Sequence, residues 1–130
     1  MTTSVNLDCI FCKIVAGRAF ANFVKRDSET IIIVPLNPVV YGHVIAIPTT
    51  HVDDAYTHPG VTSHTMRDVS AWAATQSTHD ERYKSVNFIT SVGIPATQSV
   101  FHLHIHVVPR TTNDGLALPW DSGKGKSHHA

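Results

Sequence analysis

The chain is short of charge. Only 15% of its 130 residues are Asp, Glu, Lys or Arg, and ten acids balance ten bases. It has no basic stripe to neutralise a phosphate backbone and no acidic run to attract a basic partner. Nucleic acid is therefore not an expected partner. Long apolar runs are missing too, and none approaches the roughly 20 residues that span a bilayer. No membrane association is expected. The opening "MTTSVNLDCIFC" lacks the basic-then-apolar order of a secretory leader, so a cytoplasmic location is expected. Cysteine is scarce, with only Cys9 and Cys12. A reducing compartment makes a structural disulfide between them unexpected. The C-x-x-C spacing leaves three readings open: half a metal site, a redox pair, or two small buried hydrophobes. A redox motif would want a preceding strand, and only "MTTSVNLD" stands there.

What the chain has in quantity is histidine, ten in all. The stretch "FHLHIHVVPR" puts His102, His104 and His106 on alternate positions. A strand points alternate residues to one face. The three imidazoles would stand in line, with Leu103, Ile105 and Val107 on the opposite, core-facing side. Sheet stability asks for no such row, and polar groups there must be exposed, paired or bound. Metal binding, nucleophilic catalysis and general acid–base work all use clustered imidazoles. Spacing alone favours metal.

At 130 residues, 42% of them hydrophobic, the chain fits one domain with one ordinary core. No internal repeat is present. The patterning predicts strands over Phe20–Val24 and Thr30–Pro35, joined across the turn-forming "KRDSE". "HVIAIP" predicts a third strand ended by Pro48, "VNFITSV" a fourth, and Val100–Val108 a fifth. Met66, Val69 and Ala73, with Trp72 beside them, recur at helical spacing. A helix from about Ser63 to Thr78 is expected, capped by Thr62 or Ser63, with "THPG" before it as a loop. "CIFCKIV" reads as a short N-terminal helix. The tail after Pro109 reads as loop, with Leu118 and Trp120 as anchors. His128 and His129 read as a mobile end. Strands grouped around one main helix predict an α+β domain with an antiparallel sheet of about five strands.

The surroundings of the histidine row resemble a known family. "FHLHIHVVPR" resembles the histidine triad, His-φ-His-φ-His-φ-φ, of the HIT family. "CIFCKIVAGR" is similar to the N-terminal signature of many bacterial members. "NPVVYGHVIAIPTTHV" is similar to their NP…GHxLVIPxxH stretch, and "ATQSVFHLHIH" to their approach to the triad. The resemblance covers roughly Cys9 to Arg110. It implies a HIT-like fold in a single domain over 1–130, with a core of about 9–110, a tail of 111–130, and a homodimer. Its third triad position is His106 rather than Gln, which aligns it with the hydrolase-like branches.

The resemblance implies a nucleotide hydrolase cleaving a phosphoanhydride or phosphoramidate bond at the α-phosphate. His104 would be the nucleophile and the His102 carbonyl would hold its Nδ1–H. His106 would donate to a phosphoryl oxygen, and His43 matches a fourth active-site histidine. Gln98 and Ser99 match polar residues beside the phosphate. It further implies a structural zinc on Cys9, Cys12, His51 and His102.

Three positions depart from the family pattern. Pro35 stands where an acidic or amide ribose contact is usual, and Asn37, two residues on, is the candidate replacement. Ser91 stands where Asn is common, as a candidate substrate contact, and Thr97 where Gly is common. Two other readings remain: a metalloenzyme using the histidines as ligands of a catalytic zinc, and a nucleotide-binding module with little catalysis.

Overall fold

A computed structural model describes residues 8–125. His128 and His129 lie outside the described residues. Five strands form one antiparallel sheet: β1 (Asn22–Arg26), β2 (Thr30–Val34), β3 (Val44–Pro48), β4 (Val86–Ile89) and β5 (Ile105–Pro109). Their order across the sheet is β1-β2-β3-β5-β4. The fold is thus α+β, with one main helix, α2 (Pro59–Ser77), and a short N-terminal helix, α1 (Ile10–Val15).

The middle strands of the sheet are apolar on both faces because each face is covered. Ile32, Val44, Ala46, Leu103, Ile105 and Val107 share one core with residues of α2. Ile31, Ile33, Ile45 and Ile47 share the other with Phe11, Cys12 and Ile14 of α1. On α2 the buried residues are Val61, Thr65, Val69 and Ala73, spaced four apart. That interval repeats roughly every turn and makes one stripe. Among the described residues no helix is long and apolar enough to cross a membrane.

Several boundaries differ from the pattern-based expectation. β1 runs from Asn22 to Arg26, because Lys25 and Arg26 pair with Ile32 and Ile31. The turn is therefore tighter than "KRDSE" and is closed by Asp27 N–H on the Thr30 carbonyl at 3.0 Å. The main helix begins at Pro59 rather than near Ser63, so "THPG" supplies its first turn. Neither Thr62 nor Ser63 caps it; His58 does, through Nδ1 accepting from Val61 N–H at 3.2 Å. Pro59 occupies the first turn, where a missing N–H costs nothing. β4 ends at Ile89 instead of continuing through "TSV".

The correction that bears most on function concerns the histidine row. β5 begins only at Ile105, so His102 and His104 precede the strand. The cause lies across the sheet. β3 ends at Pro48, whose carbonyl faces the His102 ring at 2.8 Å, while Leu103 N–H bonds the Val52 carbonyl at 2.8 Å. The alternation of sides nevertheless persists, and Leu103 stays in the α2 core with Ile105 and Val107.

Candidate active site and metal centre

Five imidazoles gather on the α1 side of the sheet, and a neighbour fixes the tautomer of each. A neutral imidazole has one donor and one acceptor nitrogen. His104 Nδ1 lies 2.8 Å from the His102 carbonyl. A carbonyl only accepts, so the proton is on Nδ1 and Nε2 keeps a lone pair. Val39 N–H donates to His43 Nδ1 at 3.1 Å. His43 therefore carries its proton on Nε2, which donates to His106 Nδ1 at 2.9 Å. His106 is left with an Nε2–H. His102 Nε2 donates to the Pro48 carbonyl at 2.8 Å, and His51 Nε2 faces Asp53 Oδ1 at 3.0 Å. Both of these rings turn an Nδ1 lone pair inward.

Burial reinforces neutrality. Desolvation lowers His43 and His104 below the ordinary histidine value and lowers His102 and His106 to about 4. Near pH 7 these four rings are therefore uncharged, and a neutral imidazole is the nucleophilic form. His104 is wedged by ring edges: Phe11 lies 5.1 Å away and His106 also 5.1 Å. His43 sits just after Gly42, whose φ of +92° suits glycine. Tyr83 OH donates to the Gly42 carbonyl at 2.7 Å, and a Cβ on Gly42 would press on that hydroxyl at 3.2 Å. "YGH" is thus a fixed corner.

A hollow of about 360 Å³ opens beside these rings. His43, His104, His106, Ser91 and Gln98 all line it. Gln98 is buried and its amide is committed to the scaffold: Oε1 accepts from Gly93 N–H, and Nε2 donates to the Asp53 and Val100 carbonyls. Ser99 is exposed and lies instead at a separate hollow with Cys9, His51 and Asp53. Asn37 is exposed in the turn after β2 and is not among the residues lining the His104 hollow.

Cys9, Cys12, His51 and His102 form a second constellation, with one ligand atom from each lying within 4.8 Å of the others. Cys12 Sγ is 3.2 Å from His51 Nδ1 and 3.5 Å from His102 Nδ1; Cys9 Sγ is 3.4 Å from His102 Nδ1. The two Nδ1 atoms stand 3.1 Å apart. Tetrahedral zinc, with bonds of about 2.0 Å to nitrogen and 2.3 Å to sulfur, spaces its ligands by roughly 3.3–3.8 Å. The donor set and spacing therefore fit zinc. A metal held here would take both inward lone pairs as ligands. Among the described residues His104 and His106 lie outside this group.

Sequence reasoning missed three contributors. Asp53, two residues after His51, orients that ring; the signal was the spacing "HVD". Val39 N–H sets the His43 tautomer, and no side-chain pattern marks a backbone donor. Arg110 and Gly115–Leu118 line the His104 hollow, although the tail reads as loop in which Leu118 is only an anchor.

Comparisons with known proteins agree with this fold. A family model described as HIT domain matches residues 17–113. An uncharacterized HIT-like protein of Borreliella burgdorferi is 31% identical over 117 residues, covering 85% of this chain and 81% of the relative. A HIT family protein from Bacillus anthracis superposes with a TM-score of 0.78 at 31% identity, over 89% of this chain and 83% of that one. A HIT family hydrolase from Clostridium thermocellum gives 0.70 at 28% identity, over 82% and 93%.

Proposed function

The chain belongs to the histidine triad (HIT) family, and on that premise we propose that it hydrolyses a nucleotide at its α-phosphorus through a nucleotidyl-His104 intermediate. The observation that carries this reading is the 2.8 Å bond from His104 Nδ1–H to the His102 carbonyl, which aims an uncharged Nε2 lone pair into the hollow. In the first step Nε2 attacks phosphorus, the P–N bond forms, and the bond to the leaving group breaks. The leaving group departs with the electron pair and takes a proton from solvent. The His102 carbonyl steadies the positive ring. His106 Nε2–H donates to a phosphoryl oxygen as charge shifts. In the second step water attacks phosphorus, the P–N bond breaks, the water proton goes to solvent, and neutral His104 returns. Holding the ring by backbone and packing before substrate arrives lowers the entropic cost of attack. The similarity to a solved HIT family hydrolase supports the same class.

The Cys2His2 constellation is read as a structural zinc site. Four protein donors fill a tetrahedron, leaving no open position of the kind catalytic zinc keeps. Bound zinc would supply a positive centre joining α1 to the segment before β5. A homodimer is part of the same reading. β4 is an edge of the sheet with Phe88 and Ile89 partly exposed, a surface suited to a second copy.

The test is a quenched reaction with a slow substrate followed by intact-protein mass measurement. A nucleotidyl addition on the wild type and its absence on His104→Ala are expected. His104→Ala should also lose several orders of magnitude in turnover, about the loss seen when covalent nucleophiles are removed. Full turnover by His104→Ala would refute the mechanism.

A further inference from the structure

The Cys2His2 constellation is almost closed to solvent. Cys9, Cys12 and His102 are buried, and only the His51 side chain keeps appreciable exposure, 25%. A cation reaching these four donors needs a way in. A hollow of about 450 Å³ opens on the group. Two of the four donors, Cys9 and His51, line it, and Cys12 and His102 do not. The constellation is therefore approached from the Cys9 and His51 side.

The charges on this hollow are of one sign. Asp8 and Asp53 line it, and no Lys or Arg does. Across the whole chain acids and bases balance, so this is a local excess. A cleft lined by one sign concentrates the opposite ion and speeds its arrival. Asp53 faces both ways. Its side chain is 64% exposed, yet Oδ1 lies 3.0 Å from His51 Nε2. A carboxylate only accepts, so the His51 proton is on Nε2 and Nδ1 is turned toward Cys12 Sγ at 3.2 Å. Removing such a partner from a metal-binding histidine typically costs about 10–100-fold in metal affinity. Ser99 belongs here too. It is exposed and lines this hollow, not the one at His104.

We propose that this hollow is the port through which zinc enters and leaves the folded chain, with Asp53 collecting the cation and presenting it to His51. This rests on the structural-zinc reading above and goes beyond it. A sealed site would instead release its metal only when α1 comes away from the sheet. Asp53 is a positioning residue here, because it acts through His51 and is not one of the four donors.

The experiment starts from the zinc-loaded full chain and a chromophoric chelator. It reads the equilibrium partition of zinc, and the release rate where that rate no longer depends on chelator concentration. Ser99→Phe narrows the port at an exposed position. It should slow release by about tenfold and leave the partition within about twofold, since a narrower passage slows entry and exit alike. Asp53→Asn keeps an oxygen for the His51 N–H and removes the charge. It should weaken the partition by about fivefold through slower entry, with release little changed, and the loss should fade at high salt. Asp53→Ala removes charge and acceptor together. It should release zinc faster and weaken the partition by about 10–100-fold. Release from Ser99→Phe at the wild-type rate overturns the proposal and assigns exit to the opening of α1. Wild-type partition in Asp53→Asn overturns it as well, and decides the matter alone if Ser99→Phe folds poorly. A chain purified from zinc-replete medium that holds no zinc removes the zinc reading itself, and this inference with it.

Discussion

Single atoms decide what the histidines can do. Had His104 Nδ1 faced an N–H instead of the His102 carbonyl, its proton would sit on Nε2 and the ring would have no lone pair toward the hollow. A different residue carries strain. Thr97 adopts φ +74° and ψ +21°, a left-handed conformation that is costly for a β-branched side chain. Its N–H bonds the Ile94 carbonyl at 2.8 Å, and Gln98 N–H bonds Gly93, so the turn is held in place. Thr97→Gly removes the strain and gives part of the gain back to the greater freedom of the unfolded chain. A net stabilisation of about 1 kcal/mol is expected from urea unfolding midpoints. Thr97→Ala keeps a Cβ in the same conformation and should gain much less. Equal midpoints for wild type and Thr97→Gly would show that the turn is not strained. At this scale the sequence was informative wherever the residue type itself carries chemistry. His104, His106 and the two cysteines could be picked out as candidates because few side chains can ligate or attack, whereas His43 and His51 became candidates only through the resemblance to the family. The commitment of Gln98 to the scaffold could not be read, because an amide bonds a backbone carbonyl as readily as a phosphate.

At the scale of elements, α1 is the segment least able to stand by itself. Six residues are too few for an isolated helix in water. It holds its place by burying Phe11 and Ile14 and by presenting Cys9 and Cys12 to His51 and His102. Phe11 in turn touches the rings of His102 and His104. If zinc fills the constellation, its binding energy is folding energy for this clip. Chelation should then lower the melting temperature, and Cys9→Ser should lower it in the absence of chelator and make it insensitive to chelator. One zinc per chain by elemental analysis is the matching expectation. A melting temperature unchanged after confirmed metal removal would count against the site. Element types were legible from period, β-branched composition and turn residues together, but their ends were not. β5 starts late because of Pro48 on a neighbouring strand, a long-range cause that no local window contains. The start of α2 at Pro59 had a local signal, proline at a first-turn position, which an unusual histidine cap obscured.

Across the whole molecule, the order β1-β2-β3-β5-β4 sets His106 of β5 opposite Ile45 of β3, close to the corner that carries His43. The middle strands β2 and β3 are buried along their length as short apolar, β-branched runs, which is why the α+β antiparallel sheet was readable. The folded tail after β5 was not readable. Arg110 and Asp114 lie four apart in a loop without period, and the Leu116 backbone leaves no room for a Cβ at Gly123. The same burial that shapes the site couples its stability to pH. The folded chain holds His106 at about 4 and His43 below its ordinary value, while the unfolded chain returns them to about 6.5. Between those values the unfolded state binds more protons, so stability rises with pH through the window and is lost on acidification toward 4. Each fully coupled proton contributes a slope of at most about 1.4 kcal/mol per pH unit. His106→Gln removes one such group while leaving the metal constellation in place. Urea unfolding from pH 4.5 to 7.5 should therefore show a shallower dependence on pH for His106→Gln than for wild type, with the difference concentrated below pH 6.5. Parallel curves would mean that His106 titrates alike in the folded and unfolded chains, and that the imidazole cluster is not held neutral by burial.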